Sequence, residues 1–294
     1  MDRFIVGSPI GEGRFGVVRA AVVKESGVPA AIKFVTTPRL DEGIPHPTAR
    51  ELLVALRLVH PFVIRTYEVV PCGCSLALVT ERCKTDLATV LSGRTASNPL
   101  PALEAKSLFK MLLLALAYMH SEGVVHRDVK PSNCFLTAEG ELRLGDLGLS
   151  RAWDTEASMT HEVVSGWYRA PELLLGQRHY GPEIDVWSSG CVFAELLRGH
   201  GGAFFAGDGD IWQLSRILDV LGTPTPTSWP SAVLLPDWGK VHLEPKRPLP
   251  LREFFPDASE CALDLLRRLL CLDPQKRLAA AGALCHAYFS EYPT

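Results

Sequence analysis

Four groups of residues have types and spacings that could do chemistry together. The first is Gly11-x-Gly13-x-x-Gly16-x-Val18, set between two runs with strand character, where glycines let backbone amides approach phosphate without a Cβ in the way. Alone, it also fits a glycine-rich hairpin that holds nothing. The second is Lys33, which closes the run Ala31-Ile32-Lys33, with Glu51 one turn into the next helical stretch and within reach of an ion pair. The third is His126-Arg127-Asp128-Val129-Lys130-Pro131-Ser132-Asn133, which sets a lysine two residues and an amide five residues after a carboxylate in an irregular loop. The fourth is Asp146-Leu147-Gly148, a second carboxylate beside a glycine. Phosphoryl transfer needs metal-bridged phosphates, a positioned hydroxyl with a proton acceptor, and cations over the developing charge. Each part has a candidate here. A dinucleotide-binding fold would need a helix directly after the third glycine, whereas 17–23 continues as strand, so hydride transfer on a nicotinamide cofactor is excluded.

The elements that must position these groups change character along the chain. From Phe4 to Lys33, short β-branched runs are broken by glycines at 11, 13, 16 and 27, which reads as strands joined by tight turns. Leu52, Leu53, Leu56 and Val59 recur at helical spacing, with Pro47 just before Thr48 and Pro61 beyond the end, so a helix is predicted over 48–59. Leu76 to Thr80 reads as another strand. After residue 86 the helical period dominates, in the stripes Leu108, Leu112, Ala115, Leu116, Met119 and Ile184, Trp187, Cys191, Ala194, Leu197, with further helices near 211–221 and 262–272. The segment 222–256 is proline-rich and aperiodic, and is expected to be irregular but packed by Trp229 and Trp238. Trp167, Trp187 and Trp212 are likewise read as packing residues.

Composition bounds the rest. The 294 residues are 47% hydrophobic and 21% charged, which excludes disordered, collagen-like and coiled-coil chains. The longest apolar run, Met111 to Met119, is nine residues, against the roughly 20 a membrane-spanning helix requires, so no membrane insertion is expected. A net charge of -3 favours neither nucleic acid nor an anionic surface, and neither terminus shows a targeting signal, so the expected address is the cytosol. Among eight cysteines the one close pair, Cys72 and Cys74, lacks the partners of a metal site. Reduced, mostly buried thiols are expected.

Joined by Ala170-Pro171-Glu172, the ordered set covers about 160 residues and resembles eukaryotic protein kinases, with the likeness running from about Phe4 to Phe289. The resemblance implies an α+β, bilobal kinase fold forming a single domain over 1–294. A small β-rich N-lobe with one main helix would span about 1–81, a hinge 81–86, and a larger helical C-lobe 87–294 with an insert over about 200–256. It implies ATP and Mg2+ as cofactors. Lys33 would hold the α/β-phosphates with Glu51 as its partner, Asp128 would orient the substrate hydroxyl as base, and Lys130 would contact the γ-phosphate, as in serine/threonine kinases. Asn133 and Asp146 would be the metal ligands. Ile10, Gly11, Glu12, Gly13, Gly16, Val18, Ala31, Thr80, Glu81, Cys83, Asp86 and Phe135 would line the ATP site, with Thr80 as gatekeeper and Glu81 and Cys83 offering hinge backbone. Several of these are equally ordinary core residues.

His46-Pro47-Thr48-Ala49-Arg50-Glu51, Trp167-Tyr168-Arg169 and the long insert resemble the cyclin-dependent kinases, which implies a cyclin or other activator at the 48–59 helix, a protein substrate and proline-directed specificity. Leu40-Asp41-Glu42-Gly43-Ile44-Pro45, Leu235-Pro236-Asp237, Pro248 to Leu251 and Pro256-Asp257 resemble the cell-cycle-related kinase subgroup, tied to cilium and flagellum length control. Its resemblance implies cytoplasm, nucleus or cilium as location. Arg50, Arg127 and Arg151 stand as in relatives with a phosphorylated activation loop, and Thr160 stands where the phosphothreonine would be, which implies an upstream activating kinase.

Departures from the pattern are equally specific. Arg14-Phe15 replaces the inhibitory Thr-Tyr pair of the glycine loop, and DLG replaces the commoner DFG. Ala55 and Thr66 replace larger aliphatics between helix and catalytic loop, so the equilibrium is expected to lean inactive without a partner or phosphate. Ser165 replaces a threonine beside the catalytic loop, and Gly166 replaces a bulkier residue near the P+1 pocket. Glu172 is expected to pair with Arg277. The competing reading is a pseudokinase scaffold. Because Lys33, Asp128, Asn133 and Asp146 are all present, the active enzyme is the favoured reading.

Overall fold

The computed structural model of the protein describes residues 1–13, 16–36, 46–72, 75–152 and 166–291, without the side chains at 12, 13, 35, 36, 46–51, 75, 149 and 152. Its first part is a five-stranded antiparallel sheet, in the order β1-β2-β3-β5-β4, built from β1 (Phe4–Gly13), β2 (Gly16–Val23), β3 (Pro29–Thr36), β4 (Thr66–Cys72) and β5 (Ser75–Glu81). Alternation along the strands divides its faces. Ala30, Ile32, Ala77 and Val79 join Phe4 and Ala21 in a small core on one face. Their neighbours Ala31, Lys33, Leu78 and Thr80 point to the opposite face, where the register sets Lys33 between Val18 and Leu78, and Ala31 between Ala20 and Thr80.

Helix α1 (His46–Arg57) crosses between β3 and β4. It starts two residues earlier than the periodicity predicts because Pro47 sits inside its first turn, where a missing N–H costs nothing, rather than in front of it. The packed face also differs. Leu52, Val54, Ala55 and Leu58 are buried, whereas Leu53, Leu56 and Val59 of the predicted stripe are exposed. Apolar residues lie on both sides of this helix, so period alone does not choose the buried one.

The second part begins with β6 (Thr85–Asp86), which pairs not with the large sheet but with β8 (Cys134–Leu136) and β9 (Leu142–Leu144). Against this small sheet pack α2 (Leu87–Ser92) and α3 (Ala102–Ser121), and α5 (Glu183–Arg198) and α8 (Ala280–Leu284) pack on α3, with α4 (Pro171–Leu174), α6 (Asp210–Leu221) and α7 (Glu260–Leu269) completing the helical part, while β7 (Val124–Val125) pairs with β10 (Arg151–Ala152). The predicted stripe of α3 is buried throughout, and α5 is buried on every side from Ile184 to Leu196, with Phe109 and Phe193 stacked at 4.1 Å between them. Each such ring contributes roughly 1.5–3 kcal/mol by leaving water.

Segment 222–256 lies in irregular chain with short 3₁₀ turns at Pro230–Leu234, Trp238–Lys240 and Leu251–Glu253, and Trp229 is buried as expected. Trp167 and Trp212 are not core residues: they are 51% and 67% exposed. Trp187 is the buried one of that group. The thiols are also less buried than expected, with Cys134 and Cys191 buried, Cys72, Cys83, Cys261 and Cys271 half-buried and Cys285 exposed. No helix among the described residues is long and apolar enough to cross a membrane.

Candidate active site

The cleft face of the large sheet gathers Val18, Ala31, Lys33 and Thr80, four of the expected nucleotide residues. Gly16 enters β2 at φ +133°, and a Cβ there would lie 2.0 Å from the Phe34 carbonyl oxygen, so the turn tolerates no side chain. Ile10 and Gly11 are exposed on β1. Thr80 donates a long hydrogen bond of 3.5 Å to the Ala31 carbonyl. At the end of β5 the Glu81 carboxylate accepts from the Arg65 amide at 2.6 Å and pairs with Arg143 at 3.4 Å, so its side chain braces the strand. The Cys83 N–H has no backbone partner among the described residues. Its thiol is pushed up to about 12 by burial and the nearby Glu81 charge, and stays protonated at neutral pH. Both carboxylate oxygens of Asp86 accept from Thr89, from its amide at 2.9 Å and its hydroxyl at 2.7 Å, which caps α2.

Below the sheet, the loop from His126 to Asn133 is fixed by buried groups. Asp185 at the start of α5 accepts from the His126 and Arg127 amides, each at 2.8 Å, and from His120 at 2.9 Å. Burial alone would raise its pKa, but the His120 hydrogen bond and the nearby imidazoles hold it lowered. The His126 ring reaches the Gly145 carbonyl at 3.0 Å, tying the two carboxylate segments together. The Asp128 carboxylate accepts from Lys130 at 2.8 Å and from the Asn133 amide nitrogen at 2.9 Å, which also donates to the Asp128 carbonyl at 2.8 Å. Desolvation pushes Asp128 up, yet Lys130, His126 and Asn133 together bring it below 3.8. At neutral pH it is an acceptor-only carboxylate.

Asp146 faces this loop from the sheet side. Lys33 Nζ donates to its Oδ1 at 2.9 Å, joining the upper and lower walls. Arg127 and Asp146 are, among the described residues, the two non-glycine residues with positive φ, at 68° and 57°. Such conformations persist where surrounding bonds over-determine them, and they mark functional segments. Asp146 and Asn133 offer hard oxygen donors, which suit magnesium better than a softer metal. No cluster of three or more His, Cys, Asp or Glu able to hold a metal occurs among the described residues, so an ion here would draw its remaining ligands from phosphate and water. Phe135 lies on β8, opposite Asp86 in the small sheet.

Several expected residues fall elsewhere. Arg14, Phe15, Leu40 to Pro45, Thr160 and Ser165 lie outside the described residues, as do the side chains of Glu12, Arg50 and Glu51. Arg127 reaches the Tyr180 hydroxyl at 3.4 Å, and the charges of Arg127 and Arg151 both act on that phenol. Arg277 makes the expected pair with Glu172, bidentate at 2.7 and 2.9 Å, both side chains fully buried. Asp185 and Tyr180 were not singled out from the sequence. The available signal was a carboxylate inside an otherwise apolar helical stripe, between Ile184 and Trp187.

Residues 4–289 match the protein kinase domain family. A two-lobed fold with this cleft defines a protein kinase. Over 296 residues the chain is 40% identical to cyclin-dependent kinase 20 of Rattus norvegicus, and equally to that of Homo sapiens, covering all of this chain and 84% of either relative. It is 40% identical over 293 residues to cyclin-dependent kinase D-1 of Oryza sativa subsp. japonica, covering 99% of this chain and 68% of that one. The crystal structure of the yeast RNA Pol II CTD kinase CTDK-1 complex superposes with a TM-score of 0.88 at 30% identity, covering 99% of this chain and 94% of that one. The chain belongs to the cyclin-dependent kinase family of serine/threonine protein kinases. Kinases of this family use ATP and magnesium.

Proposed function

We propose that this protein phosphorylates serine or threonine before proline in protein substrates, with Mg-ATP as donor, and that the site residues divide the work as follows. Lys33 holds the α/β-phosphates, with Glu51 steadying it. Asp146 and Asn133 hold the metal, and Lys130 meets the γ-phosphate. The substrate hydroxyl oxygen attacks the γ-phosphorus, its proton passes to Asp128, and the bond to the β,γ-bridging oxygen breaks to release ADP. The observation that carries the reading is the Lys33–Asp146 contact at 2.9 Å facing the Asp128–Lys130–Asn133 cluster, since it places cations and oxygen donors on both walls of one cleft. A scaffold would not need that arrangement.

Regulation in this reading has two inputs. A cyclin-like partner covers the exposed Leu53, Leu56 and Val59 of the α1 region, a reading supported by the cyclin-dependent names of the relatives. An upstream kinase phosphorylates Thr160, and the phosphate draws Arg50, Arg127 and Arg151 together. The resemblance of Leu235-Pro236-Asp237, Pro248 to Leu251 and Pro256-Asp257 to the cell-cycle-related kinase subgroup extends the reading to a role in cell-cycle or cilium control, with the protein in cytoplasm, nucleus or cilium. The deciding experiment measures transfer from Mg-ATP to Ser-Pro, Thr-Pro and non-proline peptides, with Asp128→Asn as control. Transfer to proline-directed peptides that vanishes in the variant is the expected result. Transfer of equal rate to both classes of peptide would remove the proline preference, and turnover by Asp128→Asn would remove the assigned base.

A further inference from the structure

We propose that Ser97, in the loop between α2 and α3, is phosphorylated by a separate, arginine-directed kinase. The phosphorylated loop is then bound by a phosphoserine-reading protein with an arginine-lined groove. Arginine three residues before a serine or threonine occurs twice in the chain, as Arg82 with Thr85 and as Arg94 with Ser97. Thr85 lies in β6, where pairing with Leu136 closes it to another enzyme. Ser97 stands in the run Arg94-Thr95-Ala96-Ser97-Asn98-Pro99, in which every residue from 95 to 99 is exposed.

This loop is firm at its roots and loose at its tip. Leu91 and Leu100 are buried, and their backbones bond to one segment: the Gly201 amide donates to the Leu91 carbonyl at 2.9 Å, and the Leu100 amide donates to the Gly199 carbonyl at 2.7 Å. Between those roots the tip is tied, among the described residues, only to itself. The Asn98 amide donates to the Thr95 carbonyl at 3.0 Å, the return bond is long at 3.5 Å, and the Thr95 and Ser97 hydroxyls meet at 3.0 Å. Drawing 95–98 out into an extended strand breaks those contacts and unpacks no buried side chain. Both the active site of a modifying enzyme and a peptide-binding groove take such a strand. Thr225, also exposed, lacks that freedom: its hydroxyl accepts from the Ser228 amide at 3.1 Å, and its carbonyl accepts from the amide of buried Trp229 at 2.9 Å.

The residue types supply the recognition. Arg94 offers a guanidinium fork that carboxylates of the modifying kinase hold bidentately. Asn98 rather than proline follows the acceptor, so a proline-directed activity of this chain does not place the phosphate. The Ser97 oxygen attacks the γ-phosphorus of ATP on the modifying kinase, the bond to the β,γ-bridging oxygen breaks to release ADP, and the hydroxyl proton goes to that enzyme's base. The product carries nearly two negative charges and three acceptor oxygens on an open strand. A cluster of arginines binds such a group through charge-assisted hydrogen bonds. Pro99, two residues on, holds Asn98 extended and brings no N–H of its own into the groove, so it marks where the bound strand ends.

Two measurements on the full chain test the proposal. In the first, the folded protein and its Asp128→Asn variant are incubated with ATP and a calcium/calmodulin-dependent kinase that reads arginine at this spacing, and the phosphate is located by mass spectrometry. Ser97 is expected to be labelled equally in both, and about tenfold more slowly in Arg94→Ala, which loses the guanidinium contact. In the second, phosphoserine is built into the chain at position 97 during translation, and binding to a 14-3-3 protein, whose groove reads phosphoserine through arginines, is followed by fluorescence anisotropy. Affinity is expected about a hundredfold above that of the unmodified chain, the scale of two charge-assisted hydrogen bonds, and about fivefold lower again in Pro99→Ala. Ser97→Ala should abolish the labelling and leave the unfolding midpoint unchanged. Labelling of Ser97 only after denaturation would overturn the proposal, since the tip would then be closed in the folded chain. So would loss of the label in Asp128→Asn, which would give the modification to the chain itself, or equal labelling of Arg94→Ala. A phosphoserine chain that binds the reader no more tightly than the unmodified chain would overturn it as well.

Discussion

Helices α1 and α5 both carry long apolar side chains, yet they are held in opposite ways. Every side chain of α5 from Ile184 to Leu196 is buried, and its polar members are spent on neighbours: Asp185 on the catalytic loop, Ser188 on Tyr168, and Glu195 on the Tyr168 hydroxyl at 2.7 Å. Helix α1 is held along one side. Its inner face packs through Leu52, Val54, Ala55 and Leu58, while Leu53 and Leu56 face solvent. Its far end is tethered to α3 by polar contacts, with Arg57 donating to the Glu122 carbonyl at 2.6 Å and the Val59 amide donating to the Tyr118 hydroxyl at 3.0 Å. The difference teaches where the molecule keeps its freedom: α5 is a post from which the reactive loop hangs, and α1 is a lever whose outer face awaits a load.

The largest expected effect comes from breaking the post. Arg277 lies over the Trp187 ring at 5.1 Å, donates to the Glu183 carbonyl at the start of α5, and neutralises Glu172. Arg277→Ala strands a buried carboxylate and should cost about 3–5 kcal/mol, read from the midpoint of denaturant unfolding. A loss under 1 kcal/mol would show that α5 does not depend on that pair. Under the lever the expected sign reverses. The Thr66 hydroxyl oxygen is buried with no hydrogen-bond partner among the described residues, on β4, the strand that packs against α1. Thr66→Val keeps the shape and removes the stranded group, which should stabilise the fold by about 1 kcal/mol and raise activity without a partner. Destabilisation would mean that water satisfies the hydroxyl.

Between post and lever lies Asp128, whose charge is set from the post side. Because its pKa in the folded state is depressed, the ionised form contributes stability above the ordinary carboxylate value of 3.8 and loses it as pH falls through the folded value. The acid limb of the rate profile should therefore lie below that ordinary value. Lys130→Met removes the strongest opposing influence to burial, so the limb of its residual activity should move to higher pH. An unmoved limb would assign it to another group.

What was legible in the sequence follows the same division. The candidates in the cleft could be read because phosphate chemistry demands residue types in a fixed order, and the structure joins Lys33 to Asp146 and gathers Lys130 and Asn133 on Asp128. The stripe of α3 could be read because one face is apolar and buried throughout. The phase of α1 could not, since Leu53 and Leu56 carry the same signal as Leu52 and Ala55, and only tertiary packing against the strand distinguishes them. Nor could the exposure of Trp167 and Trp212, because large aromatics default to the core in any composition argument. Asp86 illustrates a third limit: capping by a side chain and binding by it use the same oxygens, and sequence does not say which neighbour takes them.

The smallest effect on stability is the sharpest test of the lever. Leu53 is 67% and Leu56 44% exposed, so replacing both by serine removes little buried area and should change unfolding free energy by no more than about 0.5 kcal/mol. The same change at two buried positions of α5 would cost several times that, because each truncation there opens a cavity. If a partner loads the outer face of α1, the double variant should keep the unstimulated rate of the wild type and lose the increase that the partner brings. Pull-down of an activator together with peptide assays, both with and without Leu53→Ser/Leu56→Ser, separates the two quantities. Loss of the unstimulated rate at unchanged stability would instead mean that the outer face already acts within the isolated chain, and the contrast between a loaded lever and a fixed post would not hold.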